Sequence, residues 1–95
     1  LLICEMVSVA AETRTLAAPT KPGLRFVLRL MTDGGDVIVT VENGFNVSGD
    51  TVAPFADASA LLQLFSVEYT APTATAKATY RWEVMEGNTG VTISA

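Results

Sequence analysis

Apolar and polar residues alternate on both sides of a glycine pair near the middle of the chain, Gly34-Gly35. A period of two is typical of β-strands, and two such runs around a short glycine turn predict an antiparallel β-hairpin between residues 24–31 and 37–42. With the turn centred on the glycines, Leu30 lies opposite Val39 and Leu28 opposite Val41. The apolar face of this hairpin is formed by Leu24, Phe26, Leu28, Leu30, Val37, Val39 and Val41.

Shorter alternations recur along the rest of the chain, separated by residues that favour turns. We predict further strands over residues 1–9, 12–16, 45–47, 61–69, 78–85 and 91–94. Residues 51–60 are predicted as a loop with room for one short strand. The pattern indicates an all-β protein, a small antiparallel β-sandwich or barrel of seven to eight short strands, with residues 1–95 as a single domain.

The first ten residues are apolar enough to need a separate interpretation. We predict that residues 1–10 form an N-terminal strand or docking arm. The run is shorter than the roughly 20 residues of a transmembrane helix. A signal-peptide core is the alternative, but the run has no basic start and is interrupted by Glu5.

Charge and composition exclude several function classes. The 95 residues carry six basic and ten acidic side chains, a net charge of −4. Nucleic-acid binding requires a basic face, so nucleic acid is not an expected partner. No membrane partner is expected either. The single cysteine, Cys4, lies in an apolar run and is expected to be a small buried hydrophobe.

Candidate catalytic and metal-binding residues are scarce. The sequence contains no histidine that could activate a serine or Cys4, so we expect no enzymatic activity, no catalytic residue and no cofactor. Asp33 and Asp36 flank the glycine pair and could bind calcium, but acidic residues beside glycine are ordinary turn chemistry, so no metal ligand is predicted. Asn46-Val47-Ser48 matches an N-glycosylation sequon, a tripeptide that is frequent by chance.

Three aromatic residues could form a platform on which a sugar ring stacks: Tyr69, Tyr80 and Trp82. Tyr80 and Trp82 share a continuously apolar strand face with Val84. We therefore predict that Trp82 belongs to the core.

Some apolar residues cannot all be buried in one small core. Val27, Met31 and Ile38 lie on the hairpin face opposite to its main apolar face. The N-terminal run adds further exposed apolar side chains. We predict that this set forms a subunit or capsid interface: Leu1, Leu2, Ile3, Met6, Val27, Met31 and Ile38.

The order of apolar and turn residues resembles that of the small β-sheet decoration proteins, also called cement or head-fibre base proteins, on the capsids of tailed bacteriophages. A Leu-x-x-Pro segment precedes Gly-Leu-Arg-Phe, a Gly-Gly-Asp turn and alternating valines; a Leu-rich strand, an aromatic-Arg-Trp-Glu-Val strand and a closing Gly-Val-Thr-Ile follow. The resemblance covers residues 13–94. The residues that carry it are Leu16, Pro19, Gly23, Leu24, Phe26, Asp36, Val37, Val39, Leu64, Trp82, Val84, Gly90 and Val91.

The resemblance implies a structural virion protein, a homotrimer that binds the major capsid protein on the outer surface of the capsid and stabilises the shell. It implies neither catalysis nor a cofactor. The chain departs from the pattern in the additional segment 70–77 and in its apolar start. The alternative is a carbohydrate-binding or adhesion module, which would need an exposed aromatic platform.

Overall fold

The computed structural model describes residues 1–41, 45 and 49–94. These residues form seven strands: β1 (Leu2–Ser8), β2 (Glu12–Leu16), β3 (Arg25–Asp33), β4 (Val37–Val41), β5 (Val52–Phe55), β6 (Leu61–Thr70) and β7 (Thr79–Val84). They are arranged in a four-stranded sheet, β1-β3-β6-β7, and a three-stranded sheet, β2-β4-β5. The prediction of a small all-β, sandwich-like fold is confirmed.

Both sheets are mixed rather than purely antiparallel. β1 pairs in parallel with β3, and β2 pairs in parallel with β4. β3–β6, β6–β7 and β4–β5 are antiparallel pairs. Residues 2–16 therefore run beside residues 25–41 through both sheets, and both segments pass from one sheet to the other at the same place.

The predicted hairpin between residues 24–31 and 37–42 is wrong. β3 and β4 belong to different sheets, so Leu30 lies opposite Met6 rather than Val39. Val39 instead lies between Arg14 and Ala53. The alternation was assigned to the correct inward faces, but the partners of both strands are distant in sequence.

Gly34 and Gly35 form a corner at which two backbones approach closely. A Cβ on Gly35 would lie 2.2 Å from the backbone nitrogen of Ala11, and one on Gly34 would lie 2.3 Å from the carbonyl oxygen of Ser8. The buried Ser8 hydroxyl donates to the Gly35 carbonyl at 2.7 Å and accepts from the Gly34 N–H at 3.1 Å. Glycine is thus required here for close approach, and the corner joins the two sheets.

The core lies between the two sheets. Every second side chain along the strands points into it. Its buried apolar residues are Met6, Leu28, Leu30, Val37, Val39, Val41, Phe45, Ala53, Phe55, Ala60, Leu62, Leu64 and Trp82. Trp82 is 3% exposed, as predicted, and meets Phe26 edge-to-face with ring centroids 5.5 Å apart. Its indole N–H donates to the Ala17 carbonyl at 3.0 Å, which fixes the segment between β2 and β3.

Two further predictions concern the C-terminal half. The short strand for which the prediction left room within residues 51–60 is present as β5. Residues 91–94 do not form the predicted strand: an isolated bridge from Ser94 to Val52 is formed instead. The sequon and most of the predicted strand 45–47 lie outside the described residues. Phe45 lies at a bend of the backbone, and its side chain is buried.

Candidate functional site

The outer face of the four-stranded sheet carries several exposed or half-buried apolar side chains. Because side chains alternate across a strand, the residues between the core positions of β1, β3 and β6 face outward. Ile3 lies beside Val27, and Val27 beside Gln63, in one row across the sheet. The apolar members of this outer face are Ile3, Val7, Val27, Met31, Leu61, Phe65, Val67 and Tyr69.

The structure separates the predicted interface residues into three groups. Leu1, Leu2 and Ile3 are exposed at the start of the chain, with Ile3 at 64%. Val27 is half-buried and Met31 is 42% exposed, both on the outer face of the four-stranded sheet. Ile3, Val27 and Met31 therefore share the outer face of the four-stranded sheet, whereas Leu2 lies opposite Phe26 and alternates to the other face.

Met6 and Ile38 do not belong to this surface. Met6 is 2% exposed because it alternates with Ile3 and points into the core opposite Leu30. Ile38 is 38% exposed but lies on the three-stranded sheet, between Thr13 and Pro54. Sequence reasoning grouped them with the others because an apolar run does not reveal which sheet, or which face, each residue joins.

Three exposed apolar residues were not in the predicted set: Val7, Val9 and Tyr69. The period of two that places Ile3 outward also places Val7 and Val9 outward, so the sequence contained this signal. The alternation of Phe65, Val67 and Tyr69 in the predicted strand 61–69 likewise contained the signal for Tyr69.

Charges on the outer face are arranged in opposite-sign neighbours. Glu5 of β1 lies opposite Arg29 of β3. On β7, Arg81 and Glu83 form an ion pair with an N–O distance of 2.6 Å. The Arg81 guanidinium also lies 5.1 Å from the centre of the Tyr69 ring, a cation–π arrangement.

The outer edge of β1 has no paired strand in the part of the chain that the structure describes. The Ser8 carbonyl accepts from Gly34 on the β3 side, and the Val7 carbonyl accepts from the Arg14 guanidinium at 2.9 Å. Because successive residues direct their backbone groups to opposite edges, Ile3 and Glu5 share the free edge with Val7. An edge of this kind is a template for another strand.

Two concave regions accompany these surfaces. A small cavity of about 110 Å³ opens between the sheets beside β1 and β2, lined by Cys4, Met6, Arg14, Thr15, Leu16, Phe26, Leu28 and Val39. A wider cleft of about 490 Å³ lies between residues 18–20 and 77–80. Cys4 is half-buried at the small cavity.

The predicted chemistry can be located residue by residue. Among the described residues no group of three or more His, Cys, Asp or Glu side chains could hold a metal ion. Asp33 ends β3 and Asp36 follows the glycine corner. Trp82 is buried and unavailable for stacking on a ligand, whereas Tyr69 is exposed with Arg81 over its ring.

Comparisons with known proteins identify no relative: no family model, no curated protein and no solved structure matches the chain. Within residues 1–41, 45 and 49–94, no helix has the length and apolar character needed to cross a membrane.

Proposed function

We propose that this protein is a structural component of a bacteriophage virion, which binds the major capsid protein on the outer surface of the capsid as a homotrimer and stabilises the shell. The sequence resemblance supplies the family in this proposal. The single observation that carries it is the apolar outer face of the four-stranded sheet.

Exposure of this apolar surface to water is unfavourable in free energy. Each Å² of apolar surface removed from water contributes roughly 25 cal/mol, and contiguous exposed apolar patches on soluble proteins mark interaction sites. Ile3, Val27 and Met31 are on two adjacent strands, so one partner surface can cover them together. Charged neighbours such as Glu5 and Arg29 provide a polar rim around the patch.

A sedimentation assay tests the proposal directly. The purified chain is expected to behave as a trimer in light scattering and to co-sediment with capsids of the parent phage that lack it. Capsids carrying the protein should tolerate heating or low ionic strength better than bare capsids. A chain that stays monomeric at micromolar concentration and remains in the supernatant would overturn the proposal.

A matched pair of variants separates the apolar face from general charge effects. Ile3→Lys combined with Met31→Lys places two positive charges on the outer face of the four-stranded sheet. Thr13→Lys combined with Thr15→Lys places the same charges on exposed positions of β2. We expect the first pair to abolish trimer formation or capsid binding and the second pair to leave both unchanged.

A further inference from the structure

The free edge of β1 is covered at Val7, whose carbonyl accepts from the Arg14 guanidinium, but has no partner strand at Ile3 and Glu5 in the described chain. On the edge strand β2, Glu12 and Arg14 form an ion pair. The edge of β5 is covered by Ser94, whose carbonyl accepts from Val52 at 2.9 Å. Charged side chains and covering segments are the usual means by which proteins block edge pairing.

On β1 the only charged residue is Glu5, and it lies at the centre of the strand. Its neighbours along the edge are Ile3 and Val7, which are both exposed and apolar. β-Branched residues favour an extended chain, so this edge presents an ordered row of backbone donors and acceptors. The matching occupant is another extended backbone.

We propose that the edge of β1 binds an extended segment of a partner protein by β-strand addition, with a lysine or arginine of that segment opposite Glu5. This deepens the proposed function, because the identification of the partner as a capsid protein rests on it. The strand addition itself rests on the edge alone.

Charge distinguishes such a partner from a second copy of β1. In the antiparallel pairing with the greatest overlap, Glu5 of one copy would face Glu5 of the other, and like charges directly opposite each other are destabilising. A basic residue opposite Glu5 satisfies the same edge with attraction instead of repulsion.

A synthetic peptide tests the edge without any phage component. The probe is a capped heptapeptide of alternating valine and threonine with lysine at its centre, and the control peptide has glutamate in place of that lysine. Nuclear magnetic resonance should show shifts and slowed hydrogen exchange at the amides of Ile3, Glu5 and Val7. The glutamate peptide should bind about threefold to tenfold more weakly.

Two proline variants locate the binding edge. Ile3→Pro removes an N–H that points away from β3, so it should abolish peptide binding and leave β1–β3 pairing intact. Thr13→Pro is the matched control: the Glu12 N–H donates to Asp36, which places the Thr13 N–H on the outer edge of β2. This variant should bind the peptide normally.

A charge reversal provides a test that does not depend on the fold tolerating proline. Glu5→Lys should bind the glutamate peptide better than the lysine peptide. The proposal is overturned if the β1 amides do not respond to the lysine peptide, or if Glu5→Lys retains the original preference. Protection of these amides that rises with protein concentration alone would instead identify a second copy as the occupant.

Capsid binding separates this inference from the proposed function. If wild type and Ile3→Pro both co-sediment with capsids, strand addition is wrong and the capsid function stands. If the peptide binds the β1 edge but the wild type does not bind capsids, the capsid function is wrong and strand addition stands.

Discussion

The outer faces of the two sheets follow the same alternation but carry different side chains. On the three-stranded sheet, Thr13, Thr15 and Thr40 share the outer face with Ile38, Val52 and Pro54, and the Thr15 and Thr40 hydroxyl oxygens are 3.5 Å apart. On the four-stranded sheet, the corresponding positions carry Ile3 and Val27. Three of the six outward positions on the three-stranded sheet are polar. The four-stranded sheet has the larger apolar outer face, which a partner can cover.

This difference shows that the strand pattern and the surface chemistry are separate kinds of information. The period of two predicts which residues share a face of the sheet. It does not predict whether that face is exposed to solvent or covered by a partner. Here the two sheets share one core and are joined by the glycine corner and by the β5–β6 turn. Substitutions at the glycine corner, at the β5–β6 turn, in the core and on each outer face therefore test how the two sheets differ.

Replacing Gly35 with alanine should give the largest effect. The new Cβ would meet the Ala11 backbone, which cannot move without separating β2 from β4. We expect a loss of about 5 kcal/mol, which is enough to unfold much of a domain of this size. Urea unfolding followed by circular dichroism measures it.

Gly23→Ala is the control for the corner. Gly23 has a φ of +80° and open space around its Cβ position, so alanine there meets only conformational strain. That strain should cost about 1–2 kcal/mol. Equal losses in the two variants would contradict the close approach at the corner.

The corner also illustrates what the sequence could not reveal. A glycine pair between two alternating runs is typical of a hairpin and of a close crossing alike. The inward faces of Leu28, Leu30 and Val39 were predictable because period is local. Their partners Met6, Leu62 and Arg14 were not, because pairing across more than 20 residues, whether parallel or antiparallel, leaves no local signal.

The candidate surface was predictable to a similar extent. Val27 and Met31 were identified because their side chains are apolar on the face away from the core, and Ile3 because it lies in the apolar N-terminal run. Met6 was assigned to the same surface because residues 1–10 are apolar on both faces, and only the partner strand decides which face is buried. Ile38 was included because the hairpin placed β3 and β4 in one sheet.

Trp82→Ala should give the next largest effect, with a loss of about 3–5 kcal/mol on removal of a large core side chain. The indole packs against Phe26 and also fixes Ala17 through its N–H. Tyr69→Ala is the matched aromatic control on the outer face and should cost less than about 1 kcal/mol. Thermal unfolding compares them; similar losses would mean that the outer face of the four-stranded sheet is packed as tightly as its inner face.

Ser59→Gly should stabilise the protein slightly. Ser59 lies in the turn that connects the two sheets, has a φ of 72°, and donates its backbone N–H to the Leu30 carbonyl. Left-handed backbone costs a non-glycine residue about 1–2 kcal/mol, and the additional entropy of unfolded glycine offsets about half of that gain. The expected net gain is about 0.5–1 kcal/mol.

Ala58→Gly tests whether this gain belongs to the backbone angle of Ser59. Ala58 is the preceding turn residue and does not have a positive φ. Glycine there adds unfolded-state entropy without relieving strain, so stability should fall by about 0.4–1 kcal/mol. A gain in both variants would show that a looser turn, not the relief of Ser59, stabilises the connection.

The outer faces themselves are compared by a pair of threonine substitutions, which should have the smallest effects on stability. Met31 and Ile38 are 42% and 38% exposed, one on each sheet. Each substitution should change the free energy of unfolding by less than about 0.5 kcal/mol, since each side chain already contacts water. Chemical denaturation of both variants measures this directly.

Association should separate the two variants where stability does not. If the four-stranded sheet forms the subunit contact, Met31→Thr removes apolar area from that contact and should weaken trimer formation about tenfold. Ile38→Thr changes a similar area on the three-stranded sheet and should leave association unchanged. Sedimentation equilibrium distinguishes the outcomes. A larger loss for Ile38→Thr would place the contact on the three-stranded sheet, because the variant that weakens association identifies the face that the partner covers.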